Sequence, residues 1–177
     1  MKLLAISGSL RATSSNAALV RAAARFAPSG VVVDSYDGLA ALPHFSPDLD
    51  VEPLPAAVAT LRAAIGNSRG LVIATPEYAH GMPGSLKNAL DWLVSATEPI
   101  EMPVLLISAS PGGAAHAHAQ LSEVLRTMNL QLVDGGAHVF SRAKLDAHGE
   151  VVDAALLAAL QAGMARLVEL ALARDRV

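Results

Sequence analysis

Gly70-Leu-Val-Ile-Ala74 runs into Thr75-Pro-Glu-Tyr-Ala-His-Gly-Met-Pro-Gly-Ser-Leu-Lys-Asn-Ala-Leu-Asp-Trp92, and the architecture follows from how these residues divide. The unbroken apolar run reads as a strand buried on both faces, as strands of parallel sheets are. Two prolines and two glycines then turn the chain. Beyond them Ser85 is the expected N-cap of a helix, in which Leu86, Ala89, Leu90 and Leu93 keep helical spacing as far as about Thr97. In open α/β sheets, the loop at the carboxyl end of a parallel strand is where ligands bind. Tyr78 offers a flat face with a polar tip there, and His80 a titratable ring. Taken alone, the loop is equally readable as a crossover whose tyrosine caps the core.

The same rhythm continues on both sides. Lys2-Leu-Leu-Ala-Ile6 is strand-like and opens into Ser7-Gly-Ser-Leu-Arg-Ala-Thr-Ser-Ser-Asn16. Residues 17–27 carry Leu19, Val20, Ala23 and Phe26 on one helical face, ending at Pro28 and Gly30. Val31-Val-Val-Asp-Ser35 is a second strand, followed by a long connection over 36–55 with prolines at 43, 47, 53 and 55 and room for one helical turn. Residues 56–67 form a further helix. Pro103-Val-Leu-Leu-Ile-Ser108 is a strand entered at a proline, and residues 114–129 follow it as a helix. A fifth strand region, 130–140, is interrupted by Gly135 and Gly136, and an Ala/Leu-rich helix spans 151–174. This alternation predicts a three-layer α/β fold: a five-stranded parallel sheet with helices on both faces, within one domain over residues 1–177.

With 177 residues, 53% hydrophobic content and a formal charge of −3, the chain can bury a core and shows no basic surface for nucleic acid. Cysteine is absent, which removes thiolate nucleophiles, iron–sulfur clusters and Cys-zinc sites. No uninterrupted apolar segment of about 18 residues suggests a membrane span, and the first residues enter a strand at once. A soluble, cytoplasmic protein without membrane or nucleic-acid partners is expected.

The loop after the first strand is rich in small hydroxylated residues, and the helix that follows offers N–H groups and a partial positive charge. Ser9, Ser15 and Asn16 add side-chain donors, and Arg11 adds a forked guanidinium suited to phosphate. The alternative is that Ser14 or Ser15 merely caps the helix and Arg11 is solvated. The loop lacks the Gly-x-x-x-x-Gly-Lys word of a P-loop and the Gly-x-Gly-x-x-Gly dinucleotide fingerprint, so a mononucleotide is favoured. Ser110, Gly112 and Gly113 end the fourth strand, where glycines let backbone lie close to a planar ligand. His116 and His118 flank Ala117 and point apart on a helix, so no metal site is expected. Ser-His-Asp catalysis lacks its Gly-x-Ser-x-Gly elbow, and nothing around Glu77 argues for a general base. No side-chain acid or base is assigned.

Both loops carry words of one family. Pro-Glu-Tyr, Pro-Gly and Leu-Lys-Asn-Ala-Leu-Asp-Trp resemble the signature of the NAD(P)H-dependent FMN reductases, flavodoxin-like proteins that include quinone, azo and chromate reductases. Gly-Ser-Leu-Arg followed by Ser15 and Asn16 resembles their phosphate loop. Ala79 stands where that family commonly has asparagine. The resemblance implies that Ser9, Arg11, Ser15 and Asn16 grip the FMN phosphate, and that Pro76, Glu77, Tyr78, Ala79, His80 and Gly81 line the isoalloxazine, with Ser110, Gly112 and Gly113 closing its other side. It implies hydride passing from NADPH or NADH to FMN and on to a small acceptor such as a quinone, azo compound, metal oxyanion or free flavin. The other reading is a flavin-binding electron carrier with little NAD(P)H turnover.

Relatives in this family are commonly dimers or dimers of dimers. Trp92, the only tryptophan, and the apolar residues Leu39, Leu42, Phe45 and Leu49 of the proline-rich connection lead to an expected homodimer or homotetramer interface. The competing reading is that both features fold onto their own domain.

Overall fold

A computed structural model describes residues 1–11 and 13–174. Five parallel strands run in the order β2-β1-β3-β4-β5: β1 Lys2–Ser7, β2 Val32–Tyr36, β3 Leu71–Thr75, β4 Pro103–Ser110 and β5 Gln131–Val139. Helices α1 Ser15–Arg25, α2 Ala56–Gly66, α3 Gly84–Asp91, α4 Ala115–Thr127 and α5 Ala154–Arg174 alternate with them. The expected three-layer, flavodoxin-like architecture is the one the chain adopts.

Alternation along each strand builds two cores. Leu4 and Ile6 of β1, Leu71 and Ile73 of β3, and Val104 and Leu106 of β4 face the layer that holds α2, α3 and Leu121 and Leu125 of α4. Leu3, Ala5, Val72, Ala74, Leu105 and Ile107 face α1 and α5 on the other side. Because both faces are covered, the central strands are apolar along most of their length, and all five residues of β3, Thr75 included, are buried. Helix α5, with 21 residues, has the length and composition to cross a membrane. Its apolar face is used on the sheet instead: Leu156, Leu160, Met164 and Leu167 lie in the second core.

Several boundaries differ from expectation. Helix α3 begins at Gly84 with Pro83 as its N-cap, so Ser85 is a first-turn residue, and the helix stops at Asp91. Proline is well placed there, with its fixed φ ahead of the first turn. Val151 does not start α5; it forms an antiparallel bridge with Leu145. Gly135 and Gly136 do not interrupt β5. The register steps from Leu106↔Asp134 to Ser108↔Ala137, one extra residue on β5, and Gly136 takes φ +84°. This is a β-bulge, and a Cβ on Gly135 would meet Ile107 Cγ1 and the Leu106 carbonyl oxygen, so glycine is what lets the strands stay paired.

The proline-rich connection folds onto its own chain through α3. Asn88 Nδ2 donates to the Pro43 carbonyl (2.9 Å), and Asn88 Oδ1 accepts from Phe45 N–H (2.8 Å). One helical turn on, Trp92 Nε1 also donates to Pro43 (2.9 Å), and the indole meets Phe45 edge-on at 5.1 Å. Leu39 and Leu42 are buried in the same core, whereas Leu49 stays exposed. Trp92 has no exposed surface, so the expected role as an interface anchor is corrected. Asn88 and Trp92, four residues apart on one helix face, are a clamp for the connection. Apart from the exposed Leu49, the features read as signs of an oligomer interface are packed within one chain.

Asp50 closes the same connection. Its carboxylate accepts from Ser95 Oγ and from Arg62 Nη2 (2.7 Å), while Arg62 also donates to the Trp92 carbonyl. The Ser95 hydrogen bond, with help from Arg62, holds the Asp50 carboxyl below the usual range. A lowered native pKa contributes stability above the unfolded value of about 3.9, and that contribution disappears as pH falls through the native value. Asp146, Glu150 and Asp153 share the acid limb, each lowered by its own hydrogen bonds. Asp50→Asn is therefore expected to flatten the fall of melting temperature below about pH 4 relative to wild type. Parallel acid limbs for the two proteins would contradict the assignment.

Candidate functional site

The sheet order changes direction at β1: the chain steps outward to β2, then returns to β3 on the other side. Such a switch point opens a crevice at the carboxyl ends of the strands. Here the loops after β1, β3 and β4 meet.

The β1–α1 loop is packed tightly at its root. Gly8 donates its N–H to the Ala74 carbonyl (2.8 Å), and a Cβ there would lie 2.8 Å from Thr75 Oγ1. Ser9 Oγ lies 3.5 Å from the Tyr78 hydroxyl, spanning the crevice between the first and third strands. Ser14, not Ser15, is the N-cap of α1; its Oγ accepts from Asn16 N–H (3.1 Å) and Ala17 N–H (3.4 Å). The cap consumes two helix N–H groups and leaves Ser15, half-buried, as the first helical residue. Asn16 is 3% exposed, and its amide nitrogen donates to the Ala109 carbonyl (3.2 Å), tying the start of α1 to the end of β4. Its Oδ1 is buried without a partner among the described residues. Arg11 is exposed and its guanidinium makes no hydrogen bond or ion pair among the described residues.

In the β3–α3 loop, Tyr78 and Gly81 exchange backbone hydrogen bonds at 2.9 and 3.0 Å around a two-residue turn. The two central residues are Ala79 (φ 48°) and His80 (φ 60°). A turn with both central φ values positive is the type I′ geometry, which favours asparagine and glycine. The family's asparagine at position 79 thus has a backbone reason, and alanine holds that conformation at a cost of about 1–2 kcal/mol. The N–H groups of Ala79 and His80 donate to nothing among the described residues, and Tyr78 is 49% exposed. Glu77 points the other way: its Oε2 accepts from Ala117 N–H (2.9 Å) and caps α4, whose own N-cap residue, Ala114, has no side chain able to do so.

The β4–α4 loop supplies Ser110, whose carbonyl accepts from Gly113 and Phe140 N–H groups at 3.0 Å. Gly113 sits at φ +89°, and nothing lies within 4 Å of where a Gly112 Cβ would be, so the backbone edge is open. Sequence reasoning missed a fourth wall. The segment after β5 contributes Ser141, Arg142 and residues 145–149, which with Arg11, Thr13, Ser14, Ser15 and Pro111 line a cleft of 740 Å³. Arg142 lines it without a partner among the described residues, and Arg21 secures this wall by donating to the Gly149 carbonyl (2.9 Å) and to Glu150. Basic residues were visible at these positions, but the pairings that fold the segment, the Leu145–Val151 bridge and the Arg21 contacts to Gly149 and Glu150, were not.

His118 is bound away from the crevice, with Nδ1 2.9 Å from Ser108 Oγ and Nε2 3.0 Å from Asp134. Gln120 Oε1 accepts from Met82 N–H (2.9 Å) and holds the far end of the β3–α3 loop.

A doubly wound sheet with a hydroxyl-rich loop at its switch point is the flavodoxin-like class of α/β proteins. Residues 1–144 match the model of the NADPH-dependent FMN reductase family. The chain is 33% identical over 162 residues to an NAD(P)H-dependent FMN reductase of Pseudomonas aeruginosa, covering 86% of this chain and 85% of that one. It is 35% identical over 130 residues to a quinone reductase of Escherichia coli, covering 71% and 69%. Among solved structures, the flavoenzyme NAD(P)H:(acceptor) oxidoreductase FerB of Paracoccus denitrificans superposes with a TM-score of 0.82 at 26% identity, over 96% of both chains. The chain belongs to the NADPH-dependent FMN reductase family, oxidoreductases whose cofactors are FMN and a nicotinamide nucleotide.

Proposed function

We propose that this chain holds FMN across the three loops at the β1/β3 switch point and passes the hydride of NAD(P)H through it to a small acceptor such as a quinone. The supporting observation is the set of donors left unspent at one sheet edge. The Arg11 and Arg142 guanidiniums and the N–H groups of Ala79 and His80 have no partners among the described residues, and all lie on the loops around the crevice. These donors fit a ligand with an anionic tail and a planar polar head.

Ser9, Arg11 and Ser15 would take the phosphate, with Thr13 and Arg142 lining the same cleft. Asn16 would serve by fixing α1 against β4, given where its amide is spent. Pro76 to Gly81 would lie along the ring, with Tyr78 as an exposed aromatic face and the turn N–H groups as donors to ring heteroatoms. Ser110, Gly112 and Gly113 would form the opposite backbone wall. Bound FMN supplies the two-electron chemistry; the residues hold and orient it and tune it by hydrogen bonding. No side-chain acid or base is assigned to catalysis.

The reading extends to a cytoplasmic enzyme working as a homodimer or homotetramer, for which family resemblance is the support. Comparative titration tests the cofactor assignment. FMN should bind at least about 100-fold more tightly than riboflavin, since several charged contacts of about 1.5–3 kcal/mol each depend on the phosphate. Equal affinities would place the phosphate elsewhere.

A further inference from the structure

Glu77, His80 and His116 each present a ligand atom within 4.8 Å of the other two. They come from two pieces of chain: Glu77 and His80 from the entry and the left-handed turn of the β3–α3 loop, and His116 from the first turn of α4. The imidazoles of His80 and His116 stack with centroids 4.2 Å apart and planes 18° from parallel. Neither ring has a hydrogen-bond partner among the described residues, so nothing else in the fold uses their nitrogens. Glu77 Oε2 accepts from Ala117 N–H, which orients the carboxylate and leaves its second oxygen available. Backbone ties of this kind fix ligand carboxylates in metal centres.

We propose that Glu77, His80 and His116 bind one divalent transition-metal ion of the zinc class, linking the β3–α3 loop to α4. Two imidazoles and one carboxylate are the three-ligand set of open zinc sites, with a water at the fourth position. Imidazole donors favour zinc, copper or nickel over magnesium or calcium, which select all-oxygen sites. Ligands at about 2.0–2.1 Å from a tetrahedral ion stand about 3.4 Å from one another. The donors must therefore close by at most about 1.4 Å, which rotation of two exposed imidazoles and one half-buried carboxylate can supply. Coordination replaces the ring stack, because lone pairs that now run side by side must converge. The turn that carries His80 is left-handed at Ala79 and His80 without an asparagine or glycine in either place, and the His80 ring reaches His116 on α4. The site does not depend on the flavin reading, although an ion there would stiffen the loop that reading assigns to the ring.

Isothermal titration of the untagged full chain with Zn2+ tests the site. One ion per chain is expected, with affinity falling more than about 100-fold in His116→Ala, beyond the range typical of losing a supporting partner alone. Glu77→Gln should also weaken binding while keeping an oxygen for the Ala117 N–H. His118→Ala, whose ring is held by Ser108 and Asp134, should bind as wild type does. No saturable uptake by wild type would overturn the proposal. So would undiminished affinity in His116→Ala, or an equal loss in His118→Ala, which would mean unspecific binding to surface histidines.

Discussion

Trp92→Ala is expected to lose about 3–5 kcal/mol of folding stability, the usual range for truncating a buried large aromatic. Against a total of about 5–15 kcal/mol, that is enough to bring the protein near its unfolding threshold at growth temperature. The indole is fully enclosed, meets Phe45 edge-on and bonds the Pro43 carbonyl. Removing it opens a cavity under the connection and frees one side of the clamp. Trp92→Phe should cost much less, because the Pro43 carbonyl keeps its bond from Asn88 Nδ2. Urea unfolding checks both, and the loss should not depend on protein concentration, since the contacts lie within one chain. A loss below about 1 kcal/mol, or one that grows on dilution, would return Trp92 to an interface role.

Arg11→Ala is expected to weaken FMN binding about 10–150-fold while leaving stability within about 0.5 kcal/mol of wild type. The two effects separate because the side chain is exposed and makes no hydrogen bond or ion pair among the described residues that its loss would disturb. Riboflavin affinity should not change, and the bound flavin's visible spectrum should move little, because the substitution acts on the phosphate and not on the ring. Fluorescence-quenching titrations with both flavins measure this. A variant that loses FMN and riboflavin in equal proportion would mean that Arg11 shapes the loop and does not meet the phosphate.

The sheet was legible because its signal is local: a strand buried on both faces is largely apolar, as β3 and β4 are until Thr75 and Ser108 near their carboxyl ends. The loops of the site were legible by their words and their places at strand ends. What escaped depends on contacts between segments distant in sequence. Nothing near Trp92 announces Pro43, and only the folded chain shows Asn88 and Trp92 closing on the same carbonyl. Glu77 reads from sequence only as part of the loop expected to line the flavin, and its carboxylate accepts from a helix N–H 40 residues later. Gly135 and Gly136 read as a break because glycine weakens a strand in general, yet a bulge against Ile107 needs them. His116 was dismissed by its spacing from His118, while its partner is His80, brought across by a turn whose positive φ values no spacing rule could foresee.

Anaerobic stopped-flow mixing of the FMN-loaded chain with NADPH, and separately with NADH, tests the enzymatic reading most directly. Rapid bleaching of the bound flavin's visible absorbance by at least one of them, followed by re-oxidation when a quinone is added, is the expected result. Bound FMN that stays oxidised with both nucleotides would contradict it and leave a carrier of electrons from another donor.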